Sequence, residues 1–334
     1  MDMSAFKKLL YYIVFAAAAA AVIKVTTFGW DFRGHTEAEK SGRAGAEIRL
    51  RSHVVKLARD IGNRDLFQNN NRSLKASLDY ISSELKSYGY KVEYQEYPSS
   101  GVKVKNIIAV KPGLSAPGEI IIVGAHYDSC GNPGADDNAS GVAGVLELAK
   151  RLAGKPSART VKFLAFVNEE PPFFRTKDMG SFVYASEAAG KKEDIKGAIV
   201  LEMIGYYSDA HFSQHYPPLI GAFYPNRGDY LALVSNFNSR RLALEIRDSF
   251  KSASALPLET AILPSMVPGA DLSDHRNFWK YGYPAVMFTD TAFYRNRNYH
   301  QQTDTPETLD YSRMAVFLDG LEKAVLDLAG PAGK

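Results

Sequence analysis

The chain of 334 residues has a single cysteine, Cys130, so no intrachain disulfide can form. That neither requires nor excludes an oxidising compartment. No block of Lys and Arg is dense enough to read as a nucleic-acid footprint, and the net charge is only +3. Nucleic acid is therefore not an expected partner. The nucleophile pattern GxSxG, Walker-type phosphate loops and the HExxH metal helix are all absent, which removes three common routes to catalysis. There is no internal repeat. What remains is ordinary globular composition, 46% hydrophobic and 23% charged, ample for one large core.

The N-terminus differs from the rest. Lys7 and Lys8 precede an apolar run from Leu9 to Ile23. That run falls short of the roughly 20 residues a bilayer requires, but counting on through Lys24 to Trp30 reaches the length. Lys24 would snorkel and Trp30 would lie near the interface. Residues 1–30 are expected to anchor the chain to a membrane, with the two lysines inside and the following domain outside the cytoplasm. The alternative is a signal peptide cleaved within Ala16 to Ala21, giving a secreted product. Residues 31–43 read as a polar linker, and residues 44–330 as one domain.

Within that domain, helices are predicted over 44–60 and 73–88. In the second, Leu74, Leu78, Ile81 and Leu85 share one helical face. KVEYQEY and VKNIIAV read as strands. A strand at 119–125, a helix at 140–153 and a strand at 160–167 form a βαβ unit, so a largely parallel sheet follows. A helix near 180–189, a strand at 197–204, a helix near 239–251, the strand PAVMFTD and a helix at 312–328 continue the alternation. Residues 206–230 break it. They are rich in Tyr, Phe, Pro and Gly, and read equally well as a packed excursion or as a functional loop beside the sheet.

Several apolar runs end in an acid or a histidine. IIIVGAHYDS carries His126 and Asp128, KFLAFVNEE ends in Glu169 and Glu170, and AIVLEMIGYY carries Glu202. GADDNASG supplies Asp136 and Asp137, and YHQQTDTPETLDY supplies His300. Ligands of open α/β sheets sit beyond the carboxyl ends of the strands, so these side chains are expected on one rim. Each has a duller explanation. His126 alone would be a satisfied core histidine, but Asp128 shares its strand face and can orient an imidazole. One Asp of the pair would suffice as a helix cap; two exceed that need. Glu169 and Glu170 would repel each other unless a cation lay between them. Glu202, inside AIVLEMI, would be a costly buried carboxylate without a cationic partner, either a metal or an arginine. Two imidazoles with three or four carboxylates suit zinc. His211, His215 and His275 are expected near the site at most, and Cys130 is expected to be a small packed residue.

Taken in order, AHYDS, GADDNASGV, FVNEEPPFF, LEMIGYY, SDHRNFW and YHQQTDTPETLDY resemble metallopeptidase family twenty-eight, the co-catalytic zinc aminopeptidases. Glutaminyl cyclases and glutamate carboxypeptidase II are related to it. The resemblance covers about residues 45–328. It implies a three-layer α/β/α sandwich around a mixed, mostly parallel sheet. It also implies two zinc ions bridged by Asp136, one held by Glu170 and His300 and the other by His126 and Glu202. Glu169 would be the general base and Asp128 would orient His126. The Asp136–Asp137 peptide would be cis. Several relatives carry Asp where this chain has Glu202. The implied activity is hydrolysis of the first peptide bond of substrates with a free N-terminus, with aromatic residues of the 206–230 loop such as Tyr206, Tyr207, Phe212 and Tyr216 walling a pocket for the first side chain. A glutaminyl cyclase-like acyltransferase and a carboxypeptidase of the same fold are the alternatives.

Overall fold

The computed structural model describes residues 37–67, 71–217 and 220–332. The expected membrane segment at 1–30 lies outside them, and among the described residues no helix is long and apolar enough to cross a membrane. Helix α1 spans Glu37–Val55, so residues 37–43 are helical rather than linker. Its end passes into a wider turn over Lys56–Ile61, and α2 follows at Arg72–Ser87.

Eight strands form one sheet: β1 (Lys91–Ser99), β2 (Val102–Lys111), β3 (Ala116–His126), β4 (Arg159–Phe166), β5 (Asp194–Glu202), β6 (Leu231–Ser235), β7 (Leu258–Ile262) and β8 (Ala285–Thr289). Their order across the sheet is β1-β2-β4-β3-β5-β8-β6-β7. The central strands β4, β3, β5 and β8 run parallel to one another. The β1–β2 hairpin joins antiparallel on one side, and β6, antiparallel to β8, brings β7 on the other. The sheet is thus mixed, with a parallel centre.

Alternation along the central strands explains the three layers. Ile121, Val123 and Ala125 of β3 face a core shared with Val142 and Leu146 of α3 (Gly141–Leu152), and with residues of α1, α2, α5 (Arg240–Ala253) and α7 (Tyr311–Ala329). Ile120 and Ile122, one residue out of phase, face the opposite side with Leu164, Phe166, Tyr184 and Phe278. That layer is built by α4 (Gly180–Gly190) and α6 (His275–Lys280). A period of two on a strand sends neighbours to opposite faces, and both faces are covered, as buried parallel strands require.

The short elements β6, β7 and α6 have no clear sequence signal. LALVS and LETAI are only five residues each, and LETAI carries a glutamate and a threonine, so neither shows a clean period.

α5 and α7 pack so closely that Gly320 has no space for a side chain. A Cβ there would sit 2.4 Å from Phe250 Cδ2. Helix propensity alone would favour Ala over Gly by about 1 kcal/mol. Overpacking a close-packed core costs about 1–3 kcal/mol. Gly320→Ala is therefore expected to lower the thermal midpoint; a raised midpoint would show that the two helices can part at little cost.

Candidate metal centre

The parallel centre of the sheet sets the site. His126 is the last residue of β3 and Glu202 the last of β5. Glu169 and Glu170 lie just beyond the end of β4. Asp137 stands in the tight turn Ala135–Ser140 between β3 and α3, and His300 comes from the loop after β8. All six meet on the carboxyl rim.

Two donor sets result, with one carboxylate between them. Asp137 Oδ1 lies 3.2 Å from His126 Nε2 and Asp137 Oδ2 lies 3.2 Å from His300 Nε2. On the first side Glu202 Oε2 is 3.4 Å from His126 Nε2. On the second, Glu170 Oε2 is 3.1 Å from His300 Nε2. His126, Asp137 and Glu202 can each offer one atom to a common point, all within 4.8 Å of one another. Cys130, Glu170 and His300 can do the same.

Backbone and neighbours fix each donor. Asp128 accepts from the amides of Glu169 and Glu170, at 3.2 and 3.0 Å, while its Oδ1 stands 3.5 Å from His126 Nδ1. Asp304 accepts from the amides of Asp136 and Asp137, at 2.9 and 3.1 Å. The Asn138 side chain donates to Leu201 O at 2.8 Å and accepts from the amides of Gly141 and Met203. It thereby ties the turn to the end of β5. Gly134 has φ +59°, and a Cβ there would lie 2.3 Å from Asp137 O, so only glycine permits the chain to fold back this tightly. Arg64, fully buried, donates to the carbonyls of Tyr127, Pro133 and Gly134 and holds the loop between β3 and the turn. Asn168, Met203 and His300 all adopt positive φ (62°, 52° and 58°) beside or at a donor. Such strain persists where surrounding contacts over-determine it, and it clusters at functional sites.

The electrostatics of the donor sets suit a bound cation. Burial, followed by the Asp137 charge, pushes the Glu170 carboxyl up to about 8. Burial, opposed by His126 and reinforced by Glu202 and Glu170, pushes Glu169 well above the carboxylate range. Burial raises Asp274 to about 7. Burial would lower the two histidines, yet the surrounding carboxylates carry His126 well above its ordinary value and His300 to about 12. Groups placed this way have too few cations among them, and a bound divalent ion would reverse that balance. The hydrogen bonding agrees. His126 Nε2, Glu170 Oε1 and His300 Nε2 are buried with no hydrogen-bond partner. Buried polar atoms are rarely left so, and metal coordination is the use that their convergence fits.

Residues 106–325 match the model of peptidase family M28. The chain belongs to peptidase family M28. The uncharacterised protein YfbL of Escherichia coli K12 is 42% identical over 259 residues, covering 75% of this chain and 79% of that protein. Among solved structures, BSAP, a zinc aminopeptidase from Bacillus subtilis, superposes with a TM-score of 0.67 at 17% identity, covering 85% of this chain and 95% of that one. A glutaminyl cyclase from Fimbriiglobus ruber has the same fold, with a TM-score of 0.61 at 20% identity, over 84% of this chain and 94% of that one.

In this M28 chain the structure brings together His126, Glu170, Glu202 and His300, with Asp128 and Glu169 beside them. It corrects the choice within the aspartate pair. The carboxylate between the two imidazoles is that of Asp137, not Asp136. The cis peptide is correspondingly Asp137–Asn138. Asp136 points the other way. Its Oδ1 accepts from the Gly205 amide at 2.9 Å and its Oδ2 from Asn296 Nδ2 at 2.7 Å. Spacing cannot separate two adjacent residues whose side chains a tight turn sends apart. Asp304, Asn138 and Arg64 join the site without having been expected there, as does Ser273, whose Oγ donates to Glu202 Oε2 at 2.6 Å. Asp304 lies within the YHQQTDTPE segment, and only its distance from the aspartate turn in sequence hides its role. Cys130, expected merely to pack, stands at the second donor set. His275 does not join. Its Nε2 faces Ala270 O at 2.8 Å and its ring packs edge-on against Trp279.

Asp137→Asn is expected to abolish binding of divalent metal, measured as metal retained per chain after gel filtration. Asp136→Asn is expected to retain the metal and lose about 1–3 kcal/mol of stability, as for a disturbed buried hydrogen bond. The reverse pattern would return the shared position to Asp136.

Proposed function

We propose that the protein is a zinc aminopeptidase that removes single residues from the free N-terminus of peptides, using two zinc ions with Asp137 shared between them. The observation that carries this reading is the pair of donor sets meeting at Asp137, with the Glu169 carboxyl beside them and an apolar pocket opening at Glu202. His126, Asp137 and Glu202 would hold one ion; Asp137, Glu170 and His300 the other. Imidazole and carboxylate donors are those zinc takes in catalytic sites. When bound, paired zinc ions polarise a carbonyl and make water more acidic.

The remaining work belongs to the chain's own groups. Glu169 is buried beside the two donor sets but does not sit between the imidazoles. We assign to its carboxyl the transfer of a proton from the attacking water to the departing amine. Asp128 serves it indirectly, by gripping the Glu169 and Glu170 amides and facing His126 Nδ1. A general base must be held within hydrogen-bond reach of its proton, and this clamp does the holding.

Specificity for chain ends follows from charge and shape. With Asp137, Glu170 and Glu202 given to the two ions, Asp128, Glu169 and Asp274 remain at the rim as carboxyls that can hydrogen-bond a free amine. A blocked N-terminus lacks that amine. Beyond Glu202 the pocket is walled by Tyr216, Tyr224, Tyr230, Val234, Leu263, Met287 and Tyr294. Tyr216 is there as the sequence predicts, but Tyr206, Tyr207 and Phe212 are not among its walls. Tyr207 donates to Ile204 O, and Phe212 is 74% exposed. Such a pocket favours Leu, Phe or Met at the first position, by about 1–3 kcal/mol per methylene buried. No Lys or Arg lines it among the described residues, which disfavours a carboxypeptidase that must seat a terminal carboxylate. The fold shared with a glutaminyl cyclase keeps cyclisation of N-terminal Gln as the competing reading.

The test is a panel of Leu-, Phe- and Asp-amides beside their N-acetyl forms and an N-terminal Gln peptide. Cleavage of free Leu and Phe substrates, with little cleavage of blocked ones, is expected. Equal cleavage of blocked and free forms, or cyclisation without hydrolysis, would overturn the reading. Glu169→Gln is expected to keep its metal and lose about 10²–10⁴-fold in turnover, the usual worth of a general base.

A further inference from the structure

We propose that Cys130 is a thiolate ligand of the metal held by Glu170 and His300, giving that ion four protein donors. The inference rests on the metal reading above and adds a donor to it. Cys130, Glu170 and His300 each present a ligand atom, all within 4.8 Å of one another. Glu170 is 4% exposed; its Oε2 lies 3.1 Å from His300 Nε2 and its Oε1 is buried with no hydrogen-bond partner, so this buried carboxylate has donor capacity the chain leaves unused. The cysteine is not there by loop accident. Its loop is tied to the loop carrying His300 by the Gln302 side chain donating to Gly131 O at 2.9 Å and by Asn132 donating to Gln301 O at 3.3 Å. Arg64 grips the next part of the same loop through Pro133 O. The thiol and the imidazole are thus held on two strapped segments facing one point.

Sulfur changes what this position can do. Thiolate is a soft donor that zinc accepts readily and magnesium, calcium and manganese do not. On binding, the thiol releases its proton to solvent. With Asp137, Glu170, His300 and Cys130 around it, that ion would have four donors from the chain, all of kinds that zinc takes. The ion of His126, Asp137 and Glu202 would have three donors from the chain and no sulfur. That second ion also lies beside the apolar pocket, since Glu202 lines it. The two positions therefore play different parts. One would be held more tightly by its added sulfur donor and the other would stand nearer the pocket, and both could still take water or substrate, since zinc expands to five ligands.

Because Cys130 is the only cysteine, any thiolate signal from the full chain belongs to it. The experiment loads the metal-free protein with cobalt(II) or cadmium(II) and records the ultraviolet thiolate-to-metal charge-transfer absorption alongside the number of ions bound. Two ions with a charge-transfer band in the wild type, and two ions without it in Cys130→Ser, are the expected results. The variant should also release one ion more readily than the wild type, by about tenfold or more, since even outer partners of a metal are worth about 10–100-fold in affinity. Bound metal should slow alkylation of Cys130 by iodoacetamide. Two ions bound with no band, and alkylation as fast as in the metal-free chain, would overturn this proposal while leaving the functional reading intact. Failure to bind any ion would overturn both.

Discussion

The structure turns on one constraint: carboxylates that repel one another are crowded, buried, at the ends of parallel strands. Asp137, Glu169, Glu170 and Glu202 are all buried, and like charges this close cannot all ionise without a compensating cation. The fold does little to neutralise them directly. It uses its hydrogen bonds for position instead. Asp128 and Asp304, themselves acids, grip the backbone amides of Glu169–Glu170 and Asp136–Asp137. Arg64 donates to carbonyls rather than to the donor carboxylates. The negative charge is left for something outside the chain to balance.

That division explains why the surroundings of the site are so polar. Asn138 uses its amide to join the aspartate turn to β5, and Ser273 donates to Glu202 Oε2. A buried polar network is stable only when its members are satisfied. Around the centre, atoms of His126, Glu170, His300 and Asp274 are left without hydrogen-bond partners. Among them, His126 Nε2 and His300 Nε2 both face the Asp137 carboxylate, where a shared cation would bind.

Much of this is legible in the chain. Apolar runs ending in His126, Glu169–Glu170 and Glu202 mark both the central strands and the rim, because a buried strand and a terminal donor leave the same trace in sequence. The hidden parts share a different cause. Asp136 and Asp137 are chemically identical neighbours, and only the path of the backbone through Gly134 and the turn decides which one faces the imidazoles. Asp304 acts on residues far away in sequence, and Cys130 meets His300 only once two loops are strapped together. β6 and β7 are too short for a period to show. Local pattern reports burial well; it does not report which atoms of distant loops converge.

The central claim is that this rim holds two metal ions sharing Asp137. A crystal of the full-length chain grown with zinc, with anomalous diffraction measured on both sides of the zinc absorption edge, addresses it directly. Two anomalous peaks are expected, one against His126 and Glu202 and one against Glu170 and His300, both in contact with the Asp137 carboxylate. A single peak, or two peaks that contact Asp136 rather than Asp137, would contradict it.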